Sequence, residues 1–202
     1  MSGRASTCRR SPLSTSDRRR SGEVEPPSDR DDAGGDPVEV ARRIVLTQLS
    51  RAPRTRAQLL DACRRRGVPD DATDRVLDRF AELGLVDDVS FAQAWVESRH
   101  RGRGLARRAL THELRHRGVD EHTVADAVAA LDPQTEREAA ESLVRSRLPG
   151  LARYDRATTT RRLHGMLVRR GYSGGLALAV VRDVLDESAQ QSWGREGHEQ
   201  DT

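Results

Sequence analysis

The sequence has no lysine; all 35 of its basic residues are arginine. Aromatic residues make up only 3% of the 202, and there are two cysteines, Cys8 and Cys63. Long apolar runs are missing too. Without a run of about 18 apolar residues no membrane span is expected. Two cysteines, one in a polar stretch and one in an apolar pattern, cannot build a disulfide framework or a cysteine-based zinc site, so free thiols are expected. The opening MSGRASTCRR carries basic residues with no apolar stretch behind them, which marks nothing for export. The expected compartment is the cytoplasm. No segment alternates polar and apolar residues over a strand's length, which leaves helices.

What is present is charge, 33% of the chain, nearly balanced to a net +3. Local clustering therefore matters more than the total. Between Arg99 and Arg117 stand seven arginines and one acid, Glu113; between Arg145 and Arg170 stand eight and one, Asp155. Arginine's planar fork suits phosphate and carboxylate, so both clusters are candidate binding surfaces, although a helical protein can also carry arginines as a solvated face.

Residues 1–37 are rich in Ser, Pro, Gly, Arg and Asp without apolar period, and residues 188–202 are polar around an isolated Trp193. Both are expected to be disordered tails. Order is expected to begin at Asp36-Pro37-Val38-Glu39, with Asp capping, Pro at the first helical position and Glu reaching back as in a capping box. Asp132-Pro133 repeats the signal.

Between the tails the chain aligns on three glycines, Gly67, Gly118 and Gly171. Leu59, Leu110 and Leu163 stand eight residues before them, and Cys63, Leu114 and Leu167 four before. Arg66, Arg117 and Arg170 directly precede them; Val68, Val119 and Tyr172 directly follow. Further on come Val76-Leu77-Phe80, Ala127-Val128-Leu131 and Val180-Val181-Val184, and upstream lie Ala41, Val45 and Leu49, then Phe91, Ala94 and Trp95, then Ala139, Ala140 and Leu143. These are helical spacings on either side of a glycine able to take the left-handed terminal position. Pro53, Gly102-Arg103-Gly104 and Pro149-Gly150 are read as breakers between the first and second helices. The expectation is an all-α, elongated and curved tandem array of three three-helix repeats, over 38–86, 87–132 and 133–187.

Catalytic patterns are weak. His112-Glu113-Leu114-Arg115-His116 spells the helical zinc signature, and His122 lies at a third ligand's distance. Yet Leu110 and Leu114 mark the buried stripe, which turns His112 and His116 about 200° away toward solvent. The sister repeats hold Asp61 and Arg65, then Gly165 and Arg169, at those positions. No metal, cofactor or nucleotide site is expected. Asp87-Asp88 reads as a cap for the helix that follows.

The run D-D-V-S-F-A-Q-A-W-V-E-S-R from Asp87 to Arg99, with Gly104, Glu113-Leu114 and Gly118-Val119 beyond it, resembles the RecX family. The first repeat is similar through Thr55, Arg56, Leu59, Gly67, Leu83-Gly84 and Asp87, the third through Arg162-Leu163, Leu167 and Arg170-Gly171-Tyr172. Cys63, Gln58 and His112 depart mildly from the usual pattern. The resemblance implies a small cytoplasmic regulator, not an enzyme, that modulates the RecA recombinase in DNA repair and the SOS response. It does so mainly by inhibition: of filament growth, of strand exchange, of ATP hydrolysis and of repressor cleavage.

The candidate partner-binding residues are Arg99, Arg101, Arg103, Arg107, Arg108, Arg115 and Arg117 in the second repeat and Arg161, Arg162, Arg169 and Arg170 in the third. Arg101 and Arg103, read as loop residues, lead them. Cations in a helix's last turn, as at Arg66, Arg117 and Arg170, are favourable to its dipole whatever else they do. With so few aromatics for base stacking, any DNA contact is expected to be weak, non-specific and phosphate-directed. A monomer is expected. The alternatives are a helix-turn-helix regulator that reads an operator, because an arginine-rich helix follows a turn in each repeat, and a passive helical adaptor whose tails recruit a partner.

Overall fold

The computed structural model describes residues 35–196, with side chains through Gln191. Among these residues are nine α-helices and no strand. The first repeat holds α1 (Pro37–Leu49), α2 (Arg56–Arg64) and α3 (Asp70–Glu82). The second holds α4 (Asp88–Arg103), α5 (Arg107–His116) and α6 (Glu121–Ala129), and the third α7 (Pro133–Arg147), α8 (Arg156–Arg169) and α9 (Gly174–Glu196). A 3-10 turn, Leu148–Leu151, follows α7.

Short side chains at the helix starts hold the termini. Thr55 and Gln58 form a reciprocal capping box on α2, and Asp87, Asp120, Asp132 and Asp155 each accept from the third residue beyond. The start at Asp36-Pro37 falls where expected, but without the capping box. Asp36 accepts from the Val38 amide, two residues on, and Glu39 instead lies 3.6 Å from Arg42.

Each repeat ends its second helix in the same way. The amides of Val68, Val119 and Tyr172 return to the carbonyls of Cys63, Leu114 and Leu167 at 3.2 Å, across a glycine with positive φ. The residue after each glycine is thereby driven into its repeat's core. Leu59, Leu110 and Leu163 are buried beside it, each worth about 2 kcal/mol of transfer free energy. The third helices bury Val76, Leu77 and Phe80, then Ala127 and Val128 with Leu131 just past the end of α6, then Val180, Val181 and Val184.

On α1 the expected Ala41 and Val45 are buried, but the first helices of the second and third repeats depart from the expected stripes. Ala92 and Val96 face inward on α4, while Phe91 and Trp95 flank them, stacked at 5.7 Å, and Ala94 is exposed. On α7 the buried face is Ala140 and Val144, with Ala139 and Leu143 only partly covered. Small and β-branched residues thus occupy the tight inner positions; the large rings lie at the edge.

The expected loop at Gly102-Arg103 is helix. α4 runs through Arg103, and only at Gly104, φ 59°, does the chain turn left-handed, its amide donating to the His100 carbonyl. At the other end, α9 continues past Glu187 to Glu196, so residues 188–196 are not an irregular tail. The intervening Ser-Ala-Gln-Gln-Ser contains no helix breaker. Residues 1–34 and 197–202 of the expected tails lie outside the described residues.

One seam joins consecutive repeats, and it occurs twice. The amide of Arg56, first residue of α2, donates to Asp88 Oδ1 at 2.9 Å, and Thr55 Oγ1 donates to the Arg117 carbonyl at 2.6 Å. One repeat further on, the amide of Arg107, first residue of α5, donates to Glu136 Oε1 at 3.1 Å, and the Ala106 amide donates to the Arg170 carbonyl at 2.9 Å. In both seams the amide of the helix's first residue is satisfied by a carboxylate of the next repeat, and a helix-end carbonyl of that repeat accepts from the preceding cap residue, from the hydroxyl of Thr55 or the amide of Ala106.

Candidate functional site

Trp95 organises the basic face of the second repeat. Its Nε1 donates to Glu113 Oε2 at 2.8 Å, and the guanidinium carbons of Arg99 and Arg117 lie 4.0 and 3.6 Å from its ring centroid. Glu113, the acid of the apparent zinc signature, is therefore engaged with Trp95 and, at 3.7 Å, with Arg99. His112 and His116 are exposed. Burial, then the neighbouring Arg99 and more weakly Arg54, push the Arg117 pKa below the ordinary arginine value, against the pull of Glu113. Arg54 was not among the expected residues, and its Nε is buried without a partner. Its signal in the sequence, an Arg between Pro53 and a helix cap, is too common to single out.

The C-terminal end of α4 borders a cleft of about 620 Å³ lined by His100, Arg101, Arg103, Leu143 and Arg170. Here the structure brings together arginines of the second and third repeats, since Arg170 Nη1 donates to the Arg103 carbonyl. The side chain of Arg103 is exposed and has no partner among the described residues; Arg101 pairs with Glu97 at 2.5 Å on an open surface. Arg108 is likewise exposed and unpartnered.

Two more of the expected residues have acidic partners, one inside a seam and one on the open surface. Arg107 turns into the second seam, donating to the Leu131 carbonyl and lying 3.4 Å from Glu136, and Arg115 pairs with Glu121. In the third repeat Arg161, Arg162 and Arg169 line one cleft, together with Arg147, which sequence reading missed because it falls at the end of a different helix.

Asp88, expected as part of a cap, is the acceptor for Arg56 across the first seam, and burial raises its carboxyl above the ordinary value. Among the described residues no three His, Cys, Asp or Glu side chains converge as a metal site, and no helix is long and apolar enough to cross a membrane.

Three-helix repeats joined by a recurring seam, with arginine-lined clefts along them, define a repeat-built helical protein with a basic surface. Two family models match: the first three-helix domain of RecX over residues 41–80 and the second over residues 87–128. The regulatory protein RecX of Thermobifida fusca is 59% identical over 146 residues, covering 72% of this chain and 79% of that protein. That of Streptomyces lividans is 53% identical over 157 residues, covering 78% and 84%. The crystal structure of RecX from Lactobacillus salivarius shares the fold at a TM-score of 0.69, with 17% identity, over 74% of this chain and 97% of that one. The chain belongs to the RecX family of regulatory proteins.

Proposed function

We propose that this protein acts in the cytoplasm, in DNA repair and the SOS response, by binding the filament of the RecA recombinase on DNA. There it restrains the filament's growth, ATP hydrolysis and coprotease activity, by contact alone. Membership of the RecX family carries the reading. The basic surface supplies a physical route, because guanidinium forks suit an acidic protein face and attract it over several ångströms.

Within the expected set, Arg103, Arg108, Arg161 and Arg169 form the primary contact, being exposed and without internal partners among the described residues. Arg101 and Arg115 join them at little cost, since exposed ion pairs hold by only about 0–1 kcal/mol. Arg99, Arg107, Arg117, Arg162 and Arg170, held by rings or carbonyls, shape the surface. Any contact with DNA is to phosphate and weak.

Titrating the protein into RecA assembled on single-stranded DNA, with ATP hydrolysis as the readout, tests this directly. Hydrolysis should fall at amounts of protein well below those of RecA; unchanged hydrolysis at equal amounts would remove the proposal. The operator-reading alternative is disfavoured by the seams. Recognition helices present their N-terminal residues to bases, whereas those of α2 and α5 are engaged with Asp88, Arg117, Glu136 and Arg170.

A further inference from the structure

The third repeat carries a cleft of about 510 Å³ between α8 and the 3-10 turn that ends α7. Arg147, Arg161, Arg162 and Arg169 line it with Leu151 and Met166, and no carboxylate does. Three other arginines of this repeat are matched to acids: Arg137 to Glu141 and Asp183, Arg145 to Glu141 and Glu187, Arg156 to Asp186. By contrast, the side chains of Arg147, Arg161 and Arg169 have no ion pair or hydrogen bond among the described residues, and Arg162 rests on the Tyr154 ring at 4.0 Å. Guanidiniums gathered on one concave surface without a counter-charge repel one another, and an entering anion relieves that repulsion.

We infer that this cleft binds an acidic peptide segment of a protein partner, its carboxylates held by Arg161 and Arg169 and an adjoining aliphatic or aromatic side chain seated on Leu151 and Met166. The apolar wall favours a peptide over a nucleic-acid strand. A phosphate backbone has nothing to bury there, and the one ring close by on which a base could stack, Tyr154, already carries Arg162 and, at 4.9 Å, Arg153. This deepens the proposed function, and rests on it for the existence of an acidic partner.

The test is fluorescence anisotropy of a labelled peptide of Asp and Glu around a central Leu-Phe pair, titrated with the full-length protein. The Arg161→Glu/Arg169→Glu variant should bind it roughly tenfold more weakly or worse, equivalent to about 1.4 kcal/mol. Arg51→Glu/Arg66→Glu, an equal change of charge at exposed, unpartnered positions of the first repeat, should bind as wild type. Replacing the Leu-Phe pair by Ser-Ser should weaken binding severalfold. Equal loss in both variants, or no effect of the serine peptide, would overturn the assignment. So would an oligothymidylate that binds through Arg161 and Arg169 while the peptide does not bind. Recombinase inhibition measured alongside separates the two claims. A protein that inhibits but ignores the peptide defeats the cleft assignment alone, whereas one that binds the peptide in this manner without inhibiting defeats the proposed function alone.

Discussion

Gly171 lies so close to Ala109 that a Cβ built on it would overlap the Ala109 backbone nitrogen and stand 2.7 Å from the Ala109 Cβ. Gly118 meets Ala57 in the same way one repeat earlier, there through the alanine Cβ, while Gly67, with no repeat before it among the described residues, has open space. All three have positive φ, so alanine at Gly67 should cost only the left-handed backbone penalty, roughly 1–2 kcal/mol. Gly118→Ala and Gly171→Ala should cost about 1–3 kcal/mol more through overpacking. Ala57→Gly should recover part of the Gly118→Ala loss, because a side chain is the obstacle there; Ala109→Gly should recover less for Gly171→Ala, whose obstacle is backbone. Urea midpoints of the single and double variants check this, and equal losses at Gly67 and Gly171 would contradict it.

Tyr172 is 1% exposed and its hydroxyl is buried without a hydrogen-bond partner. Burial, reinforced by nearby Glu136, pushes its pKa up to about 12. Tyr172→Phe keeps the packed ring and removes the unsatisfied hydroxyl, so stability should be unchanged or higher by up to about 1 kcal/mol. A loss above about 1 kcal/mol on chemical denaturation would reveal a partner for the hydroxyl.

The Asp88 carboxyl is raised by burial, with the Arg56 amide opposing and Asp120 and Asp87 adding to the rise. A raised acid stabilises the fold below its unfolded pKa and ceases to do so as pH climbs through the folded value. Asp70, Asp87, Asp120 and Asp155 are lowered, by Arg64 or by hydrogen bonds at their helix starts, and they stabilise above the unfolded pKa, losing that contribution as pH falls through the folded one. Stability should therefore fall on acidification through the carboxylate range. It should fall more steeply in Asp88→Asn, which keeps an acceptor oxygen for Arg56 but loses the one carboxyl among the described residues that opposes the fall. A shallower fall in denaturation midpoints across that range would reverse the assignment.

Arg103 and Arg108 have exposed side chains with no partner among the described residues. Arg103→Glu/Arg108→Glu should leave the thermal midpoint unchanged while raising the amount of protein needed for half-inhibition of recombinase ATP hydrolysis by roughly tenfold, as expected for lost interfacial charge pairs. Arg117→Glu should behave differently and unfold at lower temperature, because the Trp95 ring at 3.6 Å loses its cation and Glu113 gains a like charge. Midpoint and half-inhibition measured on the same preparations distinguish the two behaviours.

Local spacing made the helical framework legible. Leu59, Leu110, Leu163, the residues four before each glycine, those directly after, and the whole set expected on the third helices are all buried. A period of 3.6 residues reports which side of a helix faces inward, and a left-handed glycine reports where it stops. The first helices were less legible, because several registers on α4 and α7 offer apolar residues and only packing against neighbours selects Ala92 with Val96 and Ala140 with Val144. Arg101 and Arg103 were misplaced onto a loop because two glycines so close together look like a break, yet only Gly104 turns.

By itself, the sequence determined three helical repeats, the inner faces of their second and third helices, and an all-arginine basic surface, because each of these depends on residues within a few turns of one another. Tertiary structure alone decided which arginines are free, that Glu113 serves Trp95, that Asp88 bridges repeats, and that Arg147 joins Arg161 and Arg169 around one cleft. Such relationships span tens of residues, as the 62 between Thr55 and Arg117 illustrate, and no short-range period records them. Whether a charge is available for a partner is settled by what the fold has already placed beside it.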